Sequence, residues 1–504
     1  ARGLWTSAAA APDRIAILPF TALDGRPDTR AFAAGLSDEL QTVLSSNGTQ
    51  TVSNTDAASL RGADQDRRIG ALGVRLIIDG VAQNDGKTLD VRAHVDDAPH
   101  HLTLWTVELT GPAAAPTALQ AQVGARIIAA LNCSSRALRP RGGLADPQTL
   151  GLYLRACDQF EAQGTGDDPQ AILGFLDGFR QVVARAPDFA PGHSALAKFL
   201  AYYRHFLPPD LAPQLAAEAD REAHKALTID PRDADAYIAL SMLTPPGEYL
   251  KVDQLIGKSL QYDPAWTYPN IFEGGFLESV GRIGEALTYT QRAVAANPLS
   301  LDVSSDVLLA WNGQTRAAEA ELARLRQLWP TGPLLWGDRL EVYSIAHDWP
   351  ELKTTLDDPD IRPKTLTDAD LSLLRLVAEA AKTRSASALA KARGAILAAP
   401  EDSQIQPGQR ARFLAWLGFE DDAFSVVDRL SRLPPSAAPN PMLLFSPELA
   451  TLRRDPRFMT IAARMGLASY WLQSGKWPDF CAQPGLPYDC KAMAAKAVGA
   501  RPPR

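Results

Sequence analysis

GRIGEALTYTQRAVAANPLSLDVSSDVLLAWNGQTRAAEAELARLRQLWP, residues 281–330, states one pattern twice. Gly281, Ala286, Ala293 and Pro298 are matched in order and spacing by Gly313, Ala318, Leu325 and Pro330, and later by Gly418, Ala423, Leu430 and Pro435. Proline keeps the same beat over a wider span. Pro231, Pro264, Pro298, Pro330, Pro363, Pro400 and Pro435 lie 33, 34, 32, 33, 37 and 35 residues apart. A period near 34 is that of a helical repeat array. The glycine permits a tight turn between two helices, the small residue lets them approach, and the proline stops the second helix. Ala219, Ala226 and Pro231, like Ala388, Ala395 and Pro400, keep part of the pattern without the glycine, so these units are degenerate.

The pattern resembles the tetratricopeptide repeat. The resemblance implies antiparallel helix pairs from residue 147 to about 467, stacked so that one face forms an inner groove. Concave repeat surfaces bind extended segments through large side chains. Tyr202, Tyr203, Phe206, Trp266, Trp311 and Trp336 are the candidates to line such a groove for a protein or peptide partner, or for a small signal ligand. The competing reading is that these aromatics pack between helices.

Residues 14–132 follow another rhythm. RIAILPF (14–20) suits a buried strand closed by Pro19, and Phe32, Leu36, Leu40, Val43 and Leu44 mark one face of a helix. A short strand near Thr51, a helix over 67–72, and a strand over 76–82 follow. Asn84, Asp85 and Gly86 then turn the chain into a returning strand, 89–95. Another strand over 102–109 and a helix over 117–131 complete a small α/β domain. Pro19, Phe20, Gly35, Leu36, Gly73, Gly80 and Trp105 give this region a resemblance to the TolB amino-terminal-like domain, departing from it at Ala98–His101. That domain precedes tetratricopeptide repeats in membrane-anchored bacterial regulators such as the CadC-like activators. There a cytoplasmic winged-helix DNA-binding domain, or sometimes a nucleotide cyclase, is joined to it through one membrane helix. By resemblance the chain is then the periplasmic portion of such an inner-membrane protein, its membrane helix lying upstream. A free periplasmic scaffold is a further alternative.

The expected fold class is therefore α/β plus all-α, in five segments. These are a membrane-proximal segment (1–13), the α/β domain (14–132), a solvated linker (133–146), the repeats (147–467) and a C-terminal cap and tail (468–504). At 504 residues more than one core is expected, and 46% apolar with 22% charged residues describes an ordinary folded chain. A formal charge of −7 gives no reason to expect direct nucleic-acid binding, and a homodimer stays open. Four cysteines suggest bridges. Cys481 and Cys490 flank a proline-rich loop that nothing else would hold, and are expected to pair. Cys133 and Cys157 either staple the α/β domain to the first repeat helix or remain inert thiols. Bridges place folding in an oxidising space such as the periplasm.

No catalytic set converges in the sequence. The histidines fall in no HExxH spacing, and adjacent His100 and His101 suit a turn. No Gly-Lys-Ser/Thr ending completes a phosphate loop. Asp96–Asp97, Asp357–Asp358 and Asp421–Asp422 read as turn or capping acids. The expectation is a non-enzymatic module without metal or cofactor, acting as sensor or interaction surface.

Overall fold

The computed structural model describes residues 14–46, 49–62, 64–134, 136–137, 142–163, 168–264, 267–300, 303–330, 334–400, 403–434 and 439–499. The expectations placed on residues 1–13, Trp266 and Pro435 lie outside them, as does part of the expected linker, residues 138–141. Two compact units emerge, Ala1–Ala239 with Ala295–Asp302 and Gln327–Trp329, and Leu240–Val294 with Val303–Arg326 and Pro330–Arg504.

In the first unit a sheet is ordered β1 (Arg14–Ile17), β3 (Val74–Asn84), β4 (Thr88–Asp97), β5 (Leu102–Pro112), with β2 (Thr21–Ala22) also on β3. The first two strands are parallel and the rest antiparallel. Leu76, Ile77 and Ile78 are all buried, because helices cover both faces of β3. On one side lie α1 (Pro27–Ser46) and α4 (Pro116–Ser134); α2 (Asn54–Ala58) and α3 (Gln65–Leu72) close the other. Gly80 is demanded by a neighbour: a Cβ there would sit 2.5 Å from the Phe20 ring. The strand foreseen near Thr51 reduces to a single bridge to Ile15, and the short β2 and α2 carry no periodic signal. His100 and His101 do occupy a turn, where buried Asp97 accepts from the His100 backbone and lies 2.7 Å from its Nδ1.

The linker reading of 133–146 needs correction. Arg136, expected in solvent, is buried and pairs with Asp233 (3.0 Å) and Asp235, while Lys198 donates to the same Asp235. Ala137 and Leu144 are buried beside it. The sequence hides this because the partners lie about a hundred residues downstream. Across this stretch α4 packs on α5 (Pro147–Gln163), and Arg126 grips Asp158 with a two-pronged ion pair. Arg155 also donates to the Leu104 carbonyl of β5 at 2.9 Å. A Cys133–Cys157 disulfide ties the two helices, which decides between the two readings of those thiols. The α/β element therefore forms one unit with α5, α6 (Pro169–Arg185), α7 (Ala190–Tyr203) and α8 (Ala212–Ile229), rather than a separate body on a tether.

From α5 onward the helices come in pairs, α5 with α6 and α7 with α8. They continue as α9 (Ala234–Leu243), α10 (Tyr249–Tyr262), α11 (Thr267–Ser279), α12 (Ile283–Ala296), α13 (Asp306–Trp311), α14 (Thr315–Leu328), α15 (Leu334–Ala346) and α16 (Trp349–Asp357). Next are α17 (Asp368–Thr383), α18 (Ala386–Ala398), α19 (Pro407–Trp416) and α20 (Glu420–Leu430). Pro231, Pro264, Pro298, Pro330, Pro363 and Pro400 each follow the second helix of a pair. Gly281, Gly313 and Gly418 take φ of 84°, 74° and 91° in the turn between partners. Where glycine is missing, His347 (57°) and Arg384 (52°) adopt that left-handed conformation themselves, at about 1 kcal/mol each. Ala219, Ala226, Ala286, Ala293, Ala318 and Ala423 are fully buried at the marked positions. In the degenerate α18 the burial shifts to Ala392 and Ile396, leaving Ala388 and Ala395 half-exposed.

The C-terminal segment departs from expectation in where it docks. Beyond α20 come two short 3-10 turns (Pro441–Phe445 and Pro447–Leu449), then α21 (Ala450–Arg454), α22 (Phe458–Arg464), α23 (Leu467–Ser474) and α24 (Cys490–Gly499). Cys481–Cys490 pins the last loop as foreseen. The segment covers not only the last pair but the turn between α11 and α12, some 190 residues earlier in the chain. Trp471 donates to the Val280 carbonyl (3.0 Å), Asp479 bonds Gly281 and Gly284, and Lys476 pairs with Asp253 at 2.7 Å. Phe445 lies so close to Gly281 that a Cβ there would meet its ring at 2.4 Å. Glu273 of α11 is buried in this contact. Burial and the neighbouring Asp253 push its carboxyl up to about 7, against the partial offset of Lys476 and Arg282.

Two outcomes follow. Loop closure over a sequence separation of 24 residues contributes about 3 kcal/mol in the chain-entropy picture, so Cys133→Ser with Cys157→Ser should lower the first unit's unfolding free energy by that order in denaturant titration. An unchanged midpoint would remove the stapling role. An acid whose folded pKa is raised stabilises the fold fully below the unfolded value and loses that contribution as pH rises through about 7. Glu273→Gln should therefore be near neutral at pH 4 and stabilising by up to about 3 kcal/mol at pH 8, read by unfolding at both pH values.

Candidate functional site

Within the second unit the first helices of successive pairs, α15, α17 and α19, leave a gap, and α16 closes its floor. The cavity has a volume of about 160 Å³. Its walls are largely Leu340, Leu352, Leu356, Leu374, Val377 and Phe413. Leu352 and Leu356 are buried at the base, whereas Leu340, Leu374 and Phe413 are half-exposed toward the mouth.

One end of the cavity is ionic. Arg412 of α19 reaches Glu341 of α15 and Glu448 of the second 3-10 turn, the latter at 2.9 Å. The three side chains are 11%, 18% and 12% exposed. Burial works against the guanidinium's charge, but the two carboxylates outweigh it and hold its pKa above the ordinary value. Trp311 of α13 joins the group: its Nε1 donates to Glu341 at 2.7 Å and its ring lies 5.7 Å from the guanidinium carbon. One helical turn before Glu341, Asp338 is pushed up to about 8 by burial, with Asp306 and Glu341 adding to it.

The mouth is aromatic. Trp416, which lines the cavity, stacks on Trp349 at 6.1 Å and 21°, and Trp349 lies 5.6 Å from His347. His347 is one of the residues forced into the left-handed region, the kind of local strain that gathers at binding sites.

The structure sorts the groove residues named from sequence. Trp336 is buried in the cavity wall with its Nε1 on the Thr355 carbonyl, and Trp311 sits behind the ionic end, so these two do converge. Tyr203 does not line a groove: it is 1% exposed and packs edge-on against Phe175 in the core of the first unit. Tyr202 and Phe206 stack on each other at 5.5 Å and stay exposed on that unit's surface. Arg412, Glu341, Glu448, Trp349 and Trp416 carry the site but escaped the sequence reading. One signal was present, since Arg412 follows Gly408 by four residues and precedes Ala415 by three, inside the apolar stripe of its helix. Among the described residues, no group of three or more His, Cys, Asp or Glu side chains is placed to hold a metal.

The chain matches no family model and none of the curated proteins. Among solved structures it is similar to PilW, a widely conserved type IV pilus biogenesis factor. The identity is 20%, the match covers 42% of this chain and 96% of that one, and the TM-score is 0.31. A likeness that slight decides nothing about function.

Removing Arg412 alone would leave two carboxylates largely desolvated and without their cation. Arg412→Met should therefore cost about 3–5 kcal/mol, whereas adding Glu341→Gln and Glu448→Gln to it should recover at least half of that loss in chemical denaturation. A triple variant no more stable than the single one would mean that the ions are not coupled.

Proposed function

We propose that this chain is a binding module that does not turn over a substrate, and that the cavity between α15, α17 and α19 is where it recognises its partner. The observation that carries this is the cavity's chemistry. Its walls are apolar, and its charged lining groups, Glu341, Glu448 and Arg412, are already engaged with one another or with Trp311. Such groups can discriminate a ligand by charge and shape, but none is held ready to take a proton or attack a bond.

The wider reading is the periplasmic sensor or interaction portion of a single-pass membrane transcriptional regulator. It is supported by an α/β element followed by tetratricopeptide-like pairs, the order found in such regulators, and by two disulfides, which favour an oxidising compartment. A signal would act by stabilising one arrangement or association state over another.

The coding sequence upstream of Ala1 tests this directly. A winged-helix domain followed by one membrane-spanning helix is the expected result. A nucleotide cyclase domain would make the chain an enzyme's regulatory module, and an export signal alone would make it a free scaffold; either overturns the transcriptional reading.

A further inference from the structure

We infer that the cavity is built for a segment of a partner protein presenting one large apolar side chain next to a basic residue. This rests on the binding-module reading and specifies its partner. Four observations converge on that chemistry.

The first is size. A volume of about 160 Å³ is close to that of cavities that take up a single benzene-sized ring, so it admits one side chain and not a helix or a strand. The second is the wall, whose leucines, valine and phenylalanine offer dispersion contacts to an apolar group and few hydrogen bonds to a polar one.

The third is charge. Glu341 and Glu448 share the guanidinium of Arg412, so that among the charged residues lining the cavity the acids outnumber the base; the buried Arg453, which also acts on Glu448, spends its guanidinium on the Leu444 and Ser446 carbonyls and does not line the cavity. An arriving carboxylate would meet two carboxylates; an arriving ammonium or guanidinium would complete a balanced group. The fourth is the mouth. Trp416 and Trp349 present stacked, half-exposed indoles beside the opening, the surface on which a cation's stem and head rest well. The side chain fills the cavity, and the basic neighbour lies across the indoles toward Glu341 and Glu448.

Purified residues 1–504 can be titrated by calorimetry with four probes, three capped peptides and one amine. These are the tetrapeptide amides acetyl-Gly-Phe-Arg-Gly, acetyl-Gly-Phe-Glu-Gly and acetyl-Gly-Ala-Arg-Gly, and free phenethylamine. The Phe-Arg peptide should bind at least 10-fold more tightly than each of the other three. Ala378→Trp, which fills the cavity from its wall, should abolish that binding. Gln404→Lys adds a positive charge at an exposed lining position, and should weaken Phe-Arg binding 3- to 10-fold with the melting temperature unchanged; it keeps the test valid if the tryptophan variant fails to fold.

Absence of Phe-Arg binding at millimolar peptide overturns the proposal, as does equal binding of Phe-Glu or insensitivity to Gln404→Lys. Phenethylamine binding as tightly as the peptide would make this a small-amine site and overturn the protein partner. Any of these results leaves the upstream-sequence test of the regulator reading untouched, so the two can fail separately.

Discussion

A helix pair cannot bury its own apolar face, and that constraint organises both units. Each pair needs a neighbour, and the outermost pairs need something that is not a pair. In the first unit the α/β element supplies the cover. Its α4 lies on α5, held by the Cys133–Cys157 bridge, the Arg126–Asp158 ion pair and the bond from Arg155 to the edge strand β5. In the second unit the chain's own C-terminal segment does so, inserting Phe445 and Trp471 against the α11–α12 turn. Gly281 then serves twice, as the left-handed residue of a repeat turn and as the gap into which Phe445 and Pro478 fit.

Buried ions mark the places where apolar packing alone leaves the arrangement undetermined. Arg136 with Asp233, Asp235 and Lys198 fixes the descent from α4 against the α8–α9 turn. Arg412 with Glu341 and Glu448 fixes α15, α19 and the first turns of the C-terminal segment. Desolvation offsets much of the Coulomb gain in both, so their worth lies less in net stability than in the cost of every misaligned alternative. The second group links the middle of α15 to the middle of α19 across the cavity's ionic end.

The repeat architecture was legible because it is written locally. A turn glycine, a small residue and a stop proline act within one period, and their spacing survives in the linear chain wherever the geometry needs them. The candidate site was legible only in part. Trp311 and Trp336 stood out as large residues, but Tyr203 looked the same and proved to be core, since an aromatic in a helix carries no mark of which neighbour will cover it. The partners of Arg412 lie 71 and 36 residues away on different elements, beyond the reach of any periodicity.

The sequence by itself determined the helix pairs, their turns, the α/β order of residues 14–132 and the pinned loop between Cys481 and Cys490, because each is marked by residue types recurring at set spacings along the chain. Only the tertiary structure decided that Arg136 is buried, that Cys133 and Cys157 meet, that the C-terminal segment returns to α11, and that a cavity lies between α15, α17 and α19. These depend on which distant faces are brought together, and the free energy of a face depends on what covers it.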